Sequence, residues 1–171
     1  QIECFTRISH IDCVPKIINT GTFEDETNSN YILLTQIPGV EYFTQIQQLN
    51  TQENSKLGST ISLFLDKLHL KTGSMYDIGH YIPIIKGFTG TWKDGHVQYW
   101  SYLDNNINKT KLSVKSLNIL NEAFSYLYAN QDSLIYQKGP VLLHNDFHPK
   151  NLIINHKAFS GVIDWECSQY G

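Results

Sequence analysis

Three oxygen-bearing side chains between residues 144 and 166 have the types and spacing to do chemistry together. Asp146 and Asn151 lie five positions apart in the run His144-Asn145-Asp146-Phe147-His148-Pro149-Lys150-Asn151, and a second carboxylate opens Asp164-Trp165-Glu166. Two carboxylates and an amide oxygen make a hard donor set of the kind Mg2+ takes, with phosphate and water completing its shell. Phosphoryl transfer asks little more of a protein: cations to neutralise phosphate charge, and a base beside the attacking hydroxyl. A lone aspartate in a loop is most often a turn former. It is the combination of His-x-Asp, an Asn five residues on, and Ile-Asp-Trp that points to a reaction.

Those side chains need elements to hold them. Val141-Leu142-Leu143 is expected to be a short strand running into the loop. Leu152-Ile153-Ile154 and Gly161-Val162-Ile163 are two further apolar runs of strand length, joined by the turn-like Asn155-His156-Lys157. A hairpin closed in this way returns Asp164 to the neighbourhood of Asn151. Upstream, residues 3–10 read as the end of a helix, Val14 to Ile18 as a short strand, and Glu24 to Asn30 as a polar turn. Tyr31-Ile32-Leu33-Leu34 reads as a buried strand, ended by Ile37-Pro38-Gly39, where the main architectural boundary is placed. Leu57, Ile61, Phe64, Leu65 and Leu68 share one face of a helix, as do Leu117, Leu120, Phe124 and Leu127. Between them, residues 72–110 show little period and are expected to be largely irregular. Trp92, Tyr99, Trp100 and Tyr102 in that stretch form either a packed aromatic core or a cage for a quaternary amine.

His144 to Asn151 followed by Ile163-Asp164-Trp165-Glu166 resembles the signature of the aminoglycoside phosphotransferase and choline kinase superfamily. Protein kinases carry H-R-D-x-x-x-x-N and a later D-F-G; Asn145 in place of the Arg, and Trp165-Glu166 in place of Phe-Gly, point to the small-molecule branch instead. Asn145 stands where that branch more often has Gly. The resemblance implies an α+β, protein-kinase-like fold: residues 1–37 as a partial N-terminal lobe, and residues 38–171 as a partial, mostly helical C-terminal lobe carrying the catalytic hairpin. It implies that Asp146 is the catalytic base and that Asn151 and Asp164 hold Mg2+ on the phosphates of ATP or GTP. Glu3 resembles the helix glutamate that pairs with the nucleotide-binding lysine, and the backbone of Thr35, Gln36 and Ile37 resembles the hinge that meets a purine edge. His144 is expected to brace the loop, and Trp165 to be a core aromatic.

The implied reaction is transfer of the γ-phosphate of a nucleoside triphosphate to a hydroxyl of an aminoglycoside-like or choline-like small molecule. A kinase also needs a glycine-rich phosphate loop and a strand lysine. Neither is found in the chain, whose first residue is Gln1, so it is expected to be a fragment with little or no activity by itself. Two other readings compete: a non-catalytic pseudokinase or binding fragment, and a metal-dependent hydrolase using His144, Asp146 and His148 as ligands on alternate residues of a strand. The 13 basic and 16 acidic residues form no basic stripe, which excludes nucleic acid as an expected partner. No apolar run approaches a membrane span, and three unpatterned cysteines suit a reducing compartment, so a cytoplasmic location is expected.

Overall fold

The computed structural model describes residues 2–24, 28–73, 90–135 and 139–171, apart from the side chains of Glu3 and Cys4. In chain order its elements are α1 (Ile2–Ile8), β1 (Ile17–Thr22), β2 (Asn30–Leu34), β3 (Val40–Glu41), α2 (Tyr42–Gln45), α3 (Thr51–His69), α4 (Trp92–Asn106), α5 (Val114–Ala129), β4 (Leu142–Leu143), β5 (Leu152–Asn155), β6 (Ala158–Val162) and β7 (Gln169–Tyr170). They fall into two compact units. The first comprises residues 1–71 and 143–168, and the second comprises residues 72–142 and 169–171.

The first unit contains two small antiparallel sheets. β1 and β2 pair from Ile17↔Leu34 to Thr22↔Asn30, with an irregularity at Ile18. The strand expected at Val14 to Ile18 therefore begins three residues later, because Pro15 has no N–H to give a ladder. β2 lies where expected, but it is not buried: Leu33 is half exposed, since the two-stranded ribbon covers little of its own faces. In the second sheet β3, β5 and β6 pair in the order β3-β5-β6. Leu152, Ile153 and Ile154 are buried in succession, as a strand flanked on both sides and covered on both faces requires.

α3 forms for reasons legible in its sequence. Asn50 caps its first turn and Glu53 reaches back to the Asn50 N–H, a reciprocal capping box. Leu57, Phe64 and Leu68 then face inward. Leu57 packs with Leu49 and Ile154, while the Phe64 ring meets Phe159 at 5.4 Å and Trp165 at 6.4 Å. Trp165 is fully buried, and its indole N–H donates to Val162 O at 2.8 Å, so its one polar atom is satisfied.

In the second unit the structure corrects the sequence reading. The stretch read as irregular contains a four-turn helix, α4, capped reciprocally by Thr91 and Asp94. Among the described residues its aromatic side chains meet in a row of pairwise ring contacts and not as a cage. Trp92, His96 and Trp100 stack along one edge, with successive centroids 4.4 and 6.3 Å apart, and Trp100 meets Tyr128 of α5 edge-on at 6.0 Å. Tyr102 lies exposed elsewhere on the helix. α5 turns Phe124 inward as expected, and Lys93 of α4 pairs with Asp132 beyond α5 at 2.6 Å.

Gly39 shows how closely the segment after β2 is fitted to the sheet. Its φ is +127°, and a Cβ there would lie 2.2 Å from the Ile154 carbonyl oxygen. Gly39→Ala is expected to cost roughly 1–3 kcal/mol through overpacking, with backbone strain added to it. Chemical denaturation reads this directly, and an unchanged unfolding midpoint would contradict the close packing of this segment on β5.

Candidate active site

The loop from His144 to Asn151 is closed on itself by short-range hydrogen bonds. The Asn151 side-chain amide donates to Asp146 twice, to its backbone oxygen at 3.0 Å and to its carboxylate Oδ2 at 3.1 Å. The Asn151 N–H donates to His148 O at 2.9 Å. β5 starts at the next residue, so the amide that organises the loop sits at the end of a buried strand, and Asn151 is itself buried.

β6 returns antiparallel to β5 through a two-residue turn. His156 and Lys157 both have left-handed φ values, 48° and 63°, the pattern of a type I′ hairpin. Neither is Gly, and the conformation is supported from outside: Lys157 Nζ reaches Glu53 Oε1 of α3 at 2.8 Å. The Lys157 hydrogen bond, followed by that from the Asn50 backbone, holds the Glu53 carboxyl below its ordinary pKa. Leu152 stands opposite Val162, and the Ile163 N–H donates to Asn151 O at 2.9 Å. Asp164 therefore follows directly on the residue that is bonded to Asn151, as the hairpin argument required.

His144 joins the two halves of the site. Only 2% exposed, it lies between the rings of Trp165 at 4.5 Å and Phe147 at 5.8 Å. Its Nε2 is 2.8 Å from Ile163 O, and its Nδ1 accepts from the Asp146 N–H at 3.3 Å. These partners fix the neutral ring with its proton on Nε2. With both nitrogens engaged, His144 has none left for a metal, and the hydrolase reading falls.

Burial pushes the His144 pKa down. The Ile163 carbonyl and the charges of Asp146 and Asp164 pull it up, and His148 adds to the depression. A histidine whose folded pKa lies below its unfolded value, about 6.5, contributes stability that is complete above that pH and is lost as pH falls toward the folded value. The unfolding midpoint should therefore drop between pH 7.5 and 5.5, and His144→Asn should drop less over the same interval. Equal pH slopes in the two proteins would contradict this assignment.

Asp164 and Asn145 both take left-handed backbone conformations, Asp164 with φ 64° and ψ 58° and Asn145 with φ 66°. Asn and Asp tolerate this region better than other residues with a Cβ, which explains why Asn can stand at position 145 where Gly is more usual. Asp164 is exposed, and its carboxylate makes no ion pair or hydrogen bond among the described residues. It lines a cleft of about 630 Å³ together with Thr35, Gln36, Ile37, Glu41 and Thr44, above a floor that includes Ile153 and Ile163.

The expected hinge residues thus share one cleft with Asp164. Several contacts hold the hinge in place: Thr35 N–H donates to Lys16 O at 2.8 Å, Lys16 N–H donates to Thr35 Oγ1 at 2.8 Å, and Ser160 Oγ donates to Pro38 O at 2.6 Å. Gly161 lets Ile37 and the Cys13 carbonyl approach β6, since a Cβ there would meet them at 3.0 and 2.5 Å. The Glu3 side chain lies outside the described residues. The Lys16 ammonium donates to the carbonyls of Ser9 and Ile11 beyond the end of α1.

Sequence reasoning missed α2 as a brace for this site. The Phe43 N–H donates to Pro149 O at 3.0 Å, and Lys150 Nζ lies 5.3 Å above the Phe43 ring. Four helical residues carry no periodic signal, so only the contact reveals them.

The donor set fits Mg2+. Asn151 spends its amide N–H groups on Asp146, which leaves Oδ1 as its accepting atom, and Asp164 offers a solvent-facing carboxylate. No group of three or more His, Cys, Asp or Glu side chains able to hold a metal ion occurs among the described residues.

The family model for the APH phosphotransferase enzyme family matches residues 10–171. The chain belongs to that family. No curated protein sequence matched it. Among solved structures, the gentamicin complex of APH(2")-IIa superposes with a TM-score of 0.66 at 19% identity, over 99% of this chain and 54% of that one. A thermostable mutant of APH(4)-Ia in its apo form gives a TM-score of 0.67 at 16% identity, over 99% and 57% of the two chains. The GDP complex of aminoglycoside 2'-phosphotransferase-IIIa gives 0.66 at 14% identity, over 94% and 52%. The fold of this APH-family chain is accordingly the mixed α+β, protein-kinase-like one that the loop motif implied. The chain spans about half the length of the structures it matches. No helix among its described residues is long and apolar enough to cross a membrane.

Proposed function

We propose that the protein to which this chain belongs transfers the γ-phosphate of ATP or GTP to a hydroxyl of a small molecule. The observation that carries this reading is the Asn151 side chain, bonded to Asp146 on one side while its backbone carbonyl receives Ile163, the residue before Asp164. One buried amide thereby ties the candidate base to the start of the candidate cation ligand.

In this reading Thr35, Gln36 and Ile37 meet the purine edge. The Thr35 N–H is already given to Lys16, so Thr35 serves as an acceptor through its carbonyl, and donation falls to Gln36 or Ile37. Asn151 and Asp164 would hold Mg2+, which would supply positive charge to neutralise the phosphates. Asp146 accepts the proton of the substrate hydroxyl as that oxygen bonds to the γ-phosphorus, and the electron pair of the broken bond leaves on the diphosphate. Asp146 is partly exposed, and Asp164 and Glu166 are exposed nearby in sequence. A cluster of carboxylates suits a cationic substrate such as an aminoglycoside-like or choline-like alcohol. In support, structures that this chain resembles were determined with gentamicin and with GDP.

The test is a magnesium-dependent transfer screen of the full-length protein, with ATP and GTP each offered against aminocyclitols, sugars, choline-like alcohols and hydroxy-amino acids. Phosphate should appear on at least one alcohol, and only with Mg2+ present. Absence of transfer to every alcohol, by a protein that is folded and binds nucleotide, would favour the pseudokinase reading.

A further inference from the structure

We propose that His148 is a positioning residue that, with Asn151, holds Asp146 by Oδ2 and so leaves Oδ1 as the oxygen that takes the substrate proton. The inference rests on the phosphotransferase reading and deepens it. Both His148 and Asp146 are about two-fifths exposed, and His148 Nε2 stands 3.6 Å from Asp146 Oδ2.

The tautomer follows from the backbone. The Lys150 N–H donates to His148 Nδ1 at 3.2 Å, so Nδ1 is the acceptor and the proton sits on Nε2, facing the carboxylate. The same Oδ2 already accepts from Asn151 Nδ2 at 3.1 Å. Two N–H groups thus converge on one oxygen, while Oδ1 has no partner among the described residues. A separation of 3.6 Å is too long for a hydrogen bond, but catalytic hydrogen bonds are often long before substrate binds and tighten in the complex.

The loop holds the ring where this can happen. Pro149 fixes the backbone after His148, its carbonyl is bound by Phe43, and the His148 carbonyl is bound by the Asn151 N–H at 2.9 Å. A carboxylate pinned through one oxygen presents the other in a fixed direction. That orientation is what an in-line attack on phosphorus needs from its base.

Steady-state transfer by the full-length protein, with Mg-ATP and an alcohol from the screen, tests the assignment. His148→Ala should lower kcat about tenfold, the effect of losing one such orienting contact, and leave the nucleotide KM within about twofold. His148→Gln, which can return an N–H toward Oδ2, should recover most of kcat; a bulk-filling role alone would not distinguish it from His148→Met. The methionine variant replaces the alanine one if that fails to fold. Wild-type kcat in the variants lacking a donor, or a glutamine variant as impaired as they are, overturns the proposal. Asp146→Asn in the same assay separates the two levels. If it keeps its full rate, Asp146 is not the base and this proposal falls with that role, whereas absence of transfer by the wild-type protein is what overturns the phosphotransferase reading. If it is inactive while His148→Ala is normal, only the role of His148 is wrong.

Discussion

Asp164→Asn in the full-length protein should lower phosphoryl transfer by about 10³-fold or more. A cation in such a site contributes several kcal/mol of charge stabilisation, and each 1.36 kcal/mol is a factor of ten in rate. Asn is the informative replacement. At φ 64° and ψ 58°, alanine would add about 1–2 kcal/mol of backbone strain, so its rate loss would mix chemistry with folding. Asn keeps the conformation and the shape, and removes the charge. The assay pairs initial rates over a range of Mg2+ with an unfolding curve. Near-normal turnover from the Asn variant would remove Asp164 from the reaction.

Asp146→Ala should lower kcat about 10²- to 10⁴-fold, the range for a lost general base, with nucleotide affinity little changed. The structure explains why fold and activity should separate here. Asn151 donates to the backbone oxygen of Asp146 at 3.0 Å as well as to its carboxylate, and the first of those bonds survives any substitution. Isothermal titration with nucleotide, alongside the rate, makes the distinction. A variant that loses binding and rate in proportion would show that Asp146 shapes the site and does not act on the hydroxyl.

Much of the site was legible in the sequence because its parts are local. The Asp146–Asn151 spacing lies within one loop, and a β-hairpin is the shortest way to bring Asp164 back. Type I′ turn chemistry was the weak point of that argument, since His156-Lys157 is far from the usual Asn-Gly, and the hairpin is sustained by a lysine that reaches Glu53 of α3. The α4 helix was missed for a related reason. Its aromatic and polar residues do not form a clean apolar stripe, and its best signal is the Thr91/Asp94 cap, a pattern weak when read alone. β2 was placed correctly but its burial was not, because an apolar run reports what a strand can bury and not how many neighbours it has.

What the amino-acid order determined by itself, then, was the chemistry available: which residues carry oxygens, how far apart they sit along the chain, and which strands flank them. The tertiary structure decided which atoms remain available for work. Packing against Trp165 and Phe147 made His144 a neutral brace and not a ligand, the Lys16 carbonyl consumed the Thr35 N–H, and Asn151 turned its amide toward Asp146. The buried groups, His144 and Asn151, had to find partners, and His144 found one of its own, the Ile163 carbonyl, on a segment that sequence spacing alone does not bring beside it.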